Sequence, residues 1–129
     1  MNTDLIEKVK RDKFAGYVGI KLLEDGPGRA SAELELREEH LNGVDMAHGG
    51  VIFTLADFTF AVASNSGGFA TVAINVNISY YKSPRGKTLR ARASEISARN
   101  RICGYNVDVF DEDESLIARF VGMGYRKIK

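Results

Sequence analysis

Residues 48–64 read HGGVIFTLADFTFAVAS, and this stretch decides the fold. Between residues 51 and 64, apolar side chains fall on every side of a helical wheel, which is typical of a helix that is buried all round. The helix is too short to cross a bilayer. Two glycines precede it, and residues 65–68 (NSGG) favour its end. We therefore expect a central helix that the rest of the chain encloses.

The segments around this helix predict an antiparallel sheet. Apolar residues at helical spacing predict a first helix over residues 4–14, ended by Gly16. Alternating or apolar runs bounded by turn residues predict strands over residues 18–24, 30–36, 70–81, 88–98, 102–110 and 116–125. About six strands and one apolar helix in a single domain of residues 1–129 indicate an α+β fold in which the sheet wraps around the helix.

Size and composition limit the kinds of site that the chain can hold. A chain of 129 residues can hardly fill a core and also enclose a deep cavity, so we expect a surface groove or a site between subunits. The formal net charge of +1 is far from that of a typical nucleic-acid-binding domain. One cysteine and two histidines without ligand spacing predict no metal site. Residues 1–8 lack an apolar signal core, which favours a cytoplasmic protein that does not bind membranes.

Asp57 is the most unusual residue of the central helix. A carboxylate inside an apolar helix is costly unless it is paired or reaches water. Two interpretations stay open. Asp57 either caps a loop or pairs with an arginine from elsewhere in the fold, or it serves as a reactive group.

Gly49 and Gly50 begin the helix, where unpaired backbone N–H groups and the positive end of the helix dipole can hold an oxyanion. The alternative is a tight turn into the helix that requires glycine. Asp57 follows Gly49 by eight residues, which places it roughly 10–12 Å further along the helix axis. One reacting carbonyl cannot touch both within a single helix. If both act on the same bond, two antiparallel copies must share the site, which predicts an obligate dimer with two composite sites.

Two further segments carry polar or charged side chains. Seven basic residues and one acidic residue lie between residues 82 and 101, and the turn at 82–87 (KSPRGK) suits phosphates. A solvated surface that is balanced by the acidic stretch 33–39 accounts for the same pattern. In the strand after the helix, alternation places Val72, Ile74, Val76 and Ile78 on one face, and Ala73, Asn75, Asn77 and Ser79 on the other. The second face lines either a site, a subunit interface or solvent.

Five features of the sequence together resemble a known family. They are Asn42, the HGG triplet at 48–50, residues 55–57 (LAD), residues 65–66 (NS) and the segment 80–84 (YYKSP), and they resemble the hotdog-fold acyl-CoA thioesterases of the phenylacetate-degradation (PaaI-like) family. The asparagine lies six residues before the histidine, and the aspartate lies nine after it. The resemblance implies a long helix wrapped by an antiparallel sheet and two subunits joined into one continuous sheet. It also implies active sites at the dimer interface and usually a tetramer of two such dimers.

The same resemblance implies a role for each site residue. The backbone N–H of Gly49 would hold the thioester oxygen, Asp57 of the partner subunit would act as general base or nucleophile, and Asn42 would position the water or the thioester. His48 would shape or polarise the carbonyl end. The implied substrate-binding residues are Gly50, Asn75, Tyr81, Lys82, Ser83, Pro84 and Arg85, with residues 82–87 meeting the phosphates of coenzyme A. Neither a metal nor a separate cofactor is implied, because coenzyme A is part of the substrate.

One position departs from the family pattern. Where some relatives place Ser or Thr on the strand after the helix to hold the nucleophilic water, this chain reads VAIN at residues 72–75. Either Asn75 substitutes for that residue, or the water is held without the contact. The candidates for an aromatic acyl pocket are Phe53, Phe58, Phe60 and Tyr81. Two other functions stay open: a dehydratase-type hotdog protein that uses a histidine base, and a binder of acyl-CoA or RNA that has no thioesterase activity.

Overall fold

A computed structural model describes residues 3–127. Its helices are α1 (Thr3–Lys10), α2 (Lys13–Val18) and α3 (Gly49–Asn65), with a 3-10 turn at Glu38–His40. Its strands are β1 (Lys21–Gly26), β2 (Arg29–Glu35), β3 (Ala70–Tyr80), β4 (Thr88–Arg99), β5 (Ile102–Phe110) and β6 (Leu116–Lys127). The predicted domain limits, residues 1 and 129, and the first two residues of the N-terminal segment lie outside the described residues.

The six strands form one antiparallel sheet in the order β1-β2-β4-β5-β6-β3, and α3 packs against it. Phe60 of α3 lies 5.7 Å from the rings of both Tyr105 and Phe120, so the core sits between helix and sheet. The predicted α+β architecture, a sheet around a central helix, is confirmed. The enclosure is incomplete, however. Thr54, Asp57 and Ala61 recur at helical spacing and stay half-buried, so the prediction of burial on all sides is wrong for the single chain.

The predicted helix over residues 4–14 is split into two helices. The side chain of Asp12 accepts a hydrogen bond from the backbone N–H of Ala15 at 2.9 Å and so begins α2 as its N-cap. Gly16 does not end the helix. Gly19 does, with φ at 99°, a left-handed conformation that favours glycine. The first strand therefore begins at residue 21 instead of 18.

The remaining strands agree with the prediction to within two residues, but β3 corrects one detail. A bulge between Ala73 and Asn75 shifts its register against β6. One extra residue reverses which side chains face the core. Val76 and Ile78 pack against the core, whereas Val72 and Ile74 are exposed, so the four apolar residues do not share one face.

Strand β3 lies at one end of the sheet. It pairs with β6 on one side, and its other edge has no partner strand within residues 3–127. Its 11 residues carry no charged side chain.

Within residues 3–127, no helix has the length and apolar content needed to cross a membrane.

Candidate active site

The start of α3 presents one free backbone N–H group. His48 is the N-cap, and its Nδ1 accepts a hydrogen bond from the backbone N–H of Gly50 at 2.8 Å. Gly49 is the first helical residue, so its own N–H has no partner in the helix, and none of the other described residues accepts it. The helix dipole adds positive potential at this point. The N–H available to an oxyanion is therefore that of Gly49 and not that of Gly50.

The cap also fixes the state of the His48 ring. Because Nδ1 accepts a hydrogen bond, the neutral imidazole carries its proton on Nε2, which is then a donor. Neither nitrogen is free to accept a proton while the cap is intact. This geometry disfavours the dehydratase interpretation, which needs a histidine base.

Asn42 builds the turn that leads into the helix. Its Oδ1 accepts hydrogen bonds from the backbone N–H groups of Val44 at 3.0 Å and Met46 at 3.1 Å. The backbone N–H of His48 donates to the carbonyl of His40 at 2.9 Å, which ties the turn to the helix start. The side-chain oxygen of Asn42 is thus committed to the turn. Within residues 3–127 its amide N–H groups have no partner and can serve a ligand.

His40 and Arg37 hold this turn from behind, and no sequence pattern singles them out. His40 is buried; its Nδ1 accepts from the backbone N–H of Arg37 at 3.0 Å, and its Nε2 donates to the carbonyl of Val18 at 2.8 Å. The Arg37 guanidinium donates to the carbonyls of Val18 at 3.1 Å and Tyr17 at 3.4 Å. Together they bind the free carbonyls at the end of α2. Their role is structural.

Tyr80 is a further residue of the site that the predicted set lacks. Its hydroxyl donates to the carbonyl of Gly49 at 2.9 Å, so it fixes the peptide group that follows Gly49. Burial raises the pKa of Tyr80, which keeps the hydroxyl protonated as a donor. The sequence did contain a sign of this role, because Tyr80 belongs to the YYKSP segment that carries the family resemblance.

Asp57 lies on the half-buried stripe of α3, about 12 Å along the axis from Gly49. The loop cap or arginine partner that one interpretation required is not found: within residues 3–127, its carboxylate makes no hydrogen bond or ion pair. Burial raises the pKa of Asp57, and the nearby negative charge of Asp12 raises it further. An unpaired carboxylate with a raised pKa is a better base than an ordinary surface aspartate.

Two adjoining cavities begin at the start of α3. The smaller, of about 280 Å³, is lined by Ala47, Gly49, Ile52 and residues 80–83. The larger is a surface groove of about 1150 Å³ between residues 35–47 and the loop at 82–87. They share Ala47, Lys82 and Ser83 and are therefore continuous. The predicted residues Tyr81, Lys82, Ser83, Pro84 and Arg85 all line one or both cavities, whereas Gly50, Asn75 and Asp57 line neither.

The basic region predicted between residues 82 and 101 does not form one positive surface. Arg90 pairs with Glu33 at 3.7 Å, and Arg92 pairs with Glu114 at 3.3 Å. The Nζ of Lys82 donates to the Oγ of Ser115 at 2.9 Å. The balancing by acidic residues that the alternative interpretation invoked is therefore present at Arg90, while the side chains of Arg85 and Lys87 are exposed at the groove.

The four aromatic candidates for an acyl pocket separate into two groups. Phe58 and Phe60 are buried in the core, so their prediction as pocket residues is wrong. Phe53 is half-buried and meets the ring of Phe120 edge-on at 5.6 Å. Tyr81 is exposed and lines the smaller cavity.

Comparison with known proteins identifies the family. Residues 45–118 match the sequence pattern of the thioesterase superfamily. The chain belongs to the thioesterase superfamily. The acyl-coenzyme A thioesterase PaaI of Escherichia coli K12 is 30% identical over 118 residues, covering 91% of this chain and 84% of that protein. The predicted family and the predicted class of thioester hydrolase are thereby confirmed.

Solved structures of similar proteins agree with the fold. The structure of the E. coli PaaI protein from the phenylacetic acid degradation operon has a TM-score of 0.89 at 28% identity, covering 98% of this chain and 91% of that one. A mutant of the phenylacetic acid degradation protein PaaI from Thermus thermophilus gives 0.86 at 36% identity and covers 90% and 100%. A Streptococcus mutans protein solved with acetyl CoA gives 0.81 at 25% identity and covers 86% and 90%. The predicted hotdog fold is confirmed.

Proposed function

We propose that the protein is an acyl-CoA thioesterase that hydrolyses the thioester to a free acid and coenzyme A, at composite sites formed by two subunits. The observation that carries the proposal is a pair of unsatisfied groups on α3. The N–H of Gly49 is a free donor at the positive end of the helix dipole, and the carboxylate of Asp57 is an unpaired base. Hydrolysis of an acyl bond requires both: a donor for the oxyanion and a base for water.

Gly49 and Asp57 would act on opposite sides of the same carbonyl. The N–H of Gly49 donates to the thioester oxygen and stabilises the charge that develops there. The amide of Asn42 orients the water or the thioester, and the Nε2–H of His48 polarises the carbonyl end. Asp57 of the partner subunit takes a proton from water as the water oxygen bonds to the carbonyl carbon. When the C–S bond breaks, the leaving thiolate takes that proton.

A direct attack by Asp57 is the second form of the same reaction. Its carboxylate would bond to the carbonyl carbon, coenzyme A would leave, and water would then hydrolyse the anhydride. Either form uses only the substrate and water, with coenzyme A as part of the substrate and no separate cofactor. Asn75, on the strand after α3, takes the place of the Ser or Thr of relatives as a contact for the water.

The requirement for a second subunit follows from the distance along α3. Two copies of β3 that pair through their open edges would join two sheets into one and bring two α3 helices together antiparallel. Exposed apolar side chains on the sheet, among them Ile96, Val121 and Met123, support the further association of two dimers into a tetramer. A homodimer is therefore the minimal unit of the proposal.

The two adjoining cavities suit the extended shape of coenzyme A. The smaller cavity, with Tyr81, would hold the thioester next to Gly49 and Gly50, where the absence of side chains allows close approach. The groove past Lys82, Ser83 and Pro84 leads to the exposed Arg85, whose charge suits phosphate. The names of the E. coli and T. thermophilus relatives support an aryl-acyl substrate and a role in phenylacetate degradation.

A thiol-release assay over a panel of linear and aryl acyl-CoA esters tests the proposal. Replacement of Asp57 by asparagine keeps the shape and removes the base, so we expect the rate to fall by about 10²–10⁴. The matched control is His48→Ser, which still caps the helix. We expect it to lose less activity than Asp57→Asn. No turnover of any ester, or a wild-type rate for Asp57→Asn, would contradict the proposal, and a larger loss for His48→Ser would favour the dehydratase alternative.

A further inference from the structure

An acidic turn at residues 111–115 (DEDES) lies directly against the basic loop at 82–87. Asp111 is only 5% exposed, and its two carboxylate oxygens point into the loop. Oδ2 accepts the backbone N–H of Arg85 at 2.7 Å. Oδ1 accepts the backbone N–H groups of Gly86 at 3.0 Å and of Glu112 at 2.8 Å. A carboxylate with three such donors is firmly held in its ionised form.

Glu112 continues the same pattern by one step. Its Oε1 accepts the backbone N–H groups of Lys87 at 2.7 Å and Thr88 at 2.9 Å. Four successive backbone N–H groups, from residue 85 to residue 88, are therefore bound by two neighbouring carboxylates. At the other end of the loop, Lys82 donates to Ser115 of the same acidic turn. The acidic turn holds the loop at both ends.

The contact leaves no spare room at Gly86. A Cβ at this position would come within 2.7 Å of the Glu112 carboxyl carbon and 2.9 Å of Oδ1 of Asp111. Such distances require something to shift, so the loop backbone lies directly on the two carboxyl groups. Burial alone would raise the pKa of the Asp111 carboxyl, but the hydrogen bonds from the backbone N–H groups of Arg85, Glu112 and Gly86 lower it. A lowered pKa agrees with a contact that needs the charge.

This arrangement decides how the loop can bind an anion. Loops often hold phosphate through successive backbone N–H groups, but here those groups are already bound. A phosphate in this groove would therefore be bound by side chains, and Arg85 and Lys87 are two exposed cations that line it and have no ion pair within the described residues. Two carboxylates would repel phosphate, so they can help only by holding the loop in place.

We propose that Asp111 and Glu112 are positioning residues for the phosphate-bearing end of the substrate, acting through the loop at 82–87. By fixing the backbone from which Arg85 and Lys87 extend, they keep two cationic side chains beside the groove and reduce the ordering required on binding. The inference rests on the proposed function, since it takes coenzyme A to be the phosphate-bearing ligand. It concerns affinity for that ligand and not the chemistry at Gly49.

Glu112→Ala is the principal test variant, because the side chain is exposed and its loss should leave the fold intact. Glu112→Gln is the matched control that keeps the Oε1 acceptor. Steady-state kinetics compare one acyl group carried on coenzyme A and on N-acetylcysteamine, a thiol without phosphates. For Glu112→Ala we expect KM for the coenzyme A ester to rise about tenfold, from two lost hydrogen bonds, with kcat and the truncated substrate unchanged. For Glu112→Gln, KM for the coenzyme A ester should stay close to the wild-type value. For Asp111→Asn, where it folds, KM for that ester should rise more than for Glu112→Ala.

The outcomes separate this inference from the proposed function. An equal rise in KM for both substrates, a fall in kcat alone, or no change in Glu112→Ala would overturn the inference. If the wild-type protein hydrolyses no acyl-CoA, the proposed function fails, and calorimetric titration with coenzyme A still decides the positioning role. Weaker binding by Glu112→Ala than by Glu112→Gln would support it. Equal affinities, or no binding by the wild type, would overturn it.

Discussion

Replacing Gly49 by proline would remove the free N–H at the start of α3 and leave the hydrogen bonds of the helix in place. Proline is favoured at the first position of a helix, because its fixed φ suits the helix and the missing N–H has no partner there. The residue before a proline must be extended, and His48 already has φ −65° and ψ 135°. The hydrogen bond from Gly50 to His48 stays in place. The substitution therefore tests one donor inside an intact helix.

The expected loss follows from the role of that donor. Removal of one oxyanion-hole donor costs about 10²–10³ in kcat, equivalent to about 2.7–4 kcal/mol. Gly49→Ala is the matched control. It keeps the N–H, and its Cβ would meet the ring of Tyr80 at 3.4 Å, the lower limit of ordinary contact. We expect Gly49→Ala to retain activity within about tenfold and Gly49→Pro to lose at least ten times more.

Thiol release at saturating acyl-CoA measures kcat for both variants, and thermal unfolding checks the fold of each. Equal activity of the proline and alanine variants, with unchanged Tm, would refute the role of the Gly49 N–H. An equal loss in both would place the effect in the contact with Tyr80 and not in the missing donor.

Three further predictions concern Asp57 and its surroundings. Mixing equal amounts of Gly49→Pro and Asp57→Asn subunits should restore about a quarter of wild-type activity. Half of the dimers are then mixed, and each mixed dimer has one intact site out of two. No recovery of activity would contradict the composite site. Asp12→Asn keeps the acceptor for the Ala15 N–H but removes a negative charge, which is the second cause, behind burial, of the raised pKa of Asp57. The acid limb of the pH profile of kcat/KM should therefore move to lower pH. An unmoved limb would argue against Asp57 as the base. Because the folded-state pKa of Asp57 is raised, stability falls as pH rises through that pKa. Asp57→Asn should therefore raise Tm at pH 8 by a few degrees, at about 3–5 °C per kcal/mol, and lose this advantage in acid. Calorimetry at pH 8 and in acid measures the difference in Tm from wild type. A Tm below that of wild type at pH 8 would contradict the expectation.

The sequence predicted most of the fold because its strongest patterns are local. The apolar run between residues 51 and 64 marks the helix that packs in the core, and five of the six strands both begin and end within two residues of their expected limits. If Gly49 and Asp57 act on the same bond, their spacing requires two copies of the helix for one site. That inference needed only the rise per residue of a helix.

The missed features depend on contacts between distant segments. The N-cap at Asp12 interrupts what reads in the sequence as one continuous apolar pattern, and both resulting helices pack on α3. The bulge after Ala73 exists only in the register with β6. Asp111 and Glu112 look like ordinary turn residues until the loop at 82–87, some 25 residues away, is folded against them. Long-range partners of this kind leave no periodicity in a single sequence.

The open edge of β3 bears on the solubility of a chain that has no partner. Sheet edges are normally protected against unwanted pairing by lysine, proline or a short strand. Strand β3 has 11 residues and contains neither lysine nor proline, and Val72 and Ile74 lie exposed on it. An unpaired copy of the chain therefore offers an edge for fibril-like stacking. In the proposed dimer, pairing through β3 would cover this edge, so any variant that loosens the pairing should be judged by solubility as well as by activity.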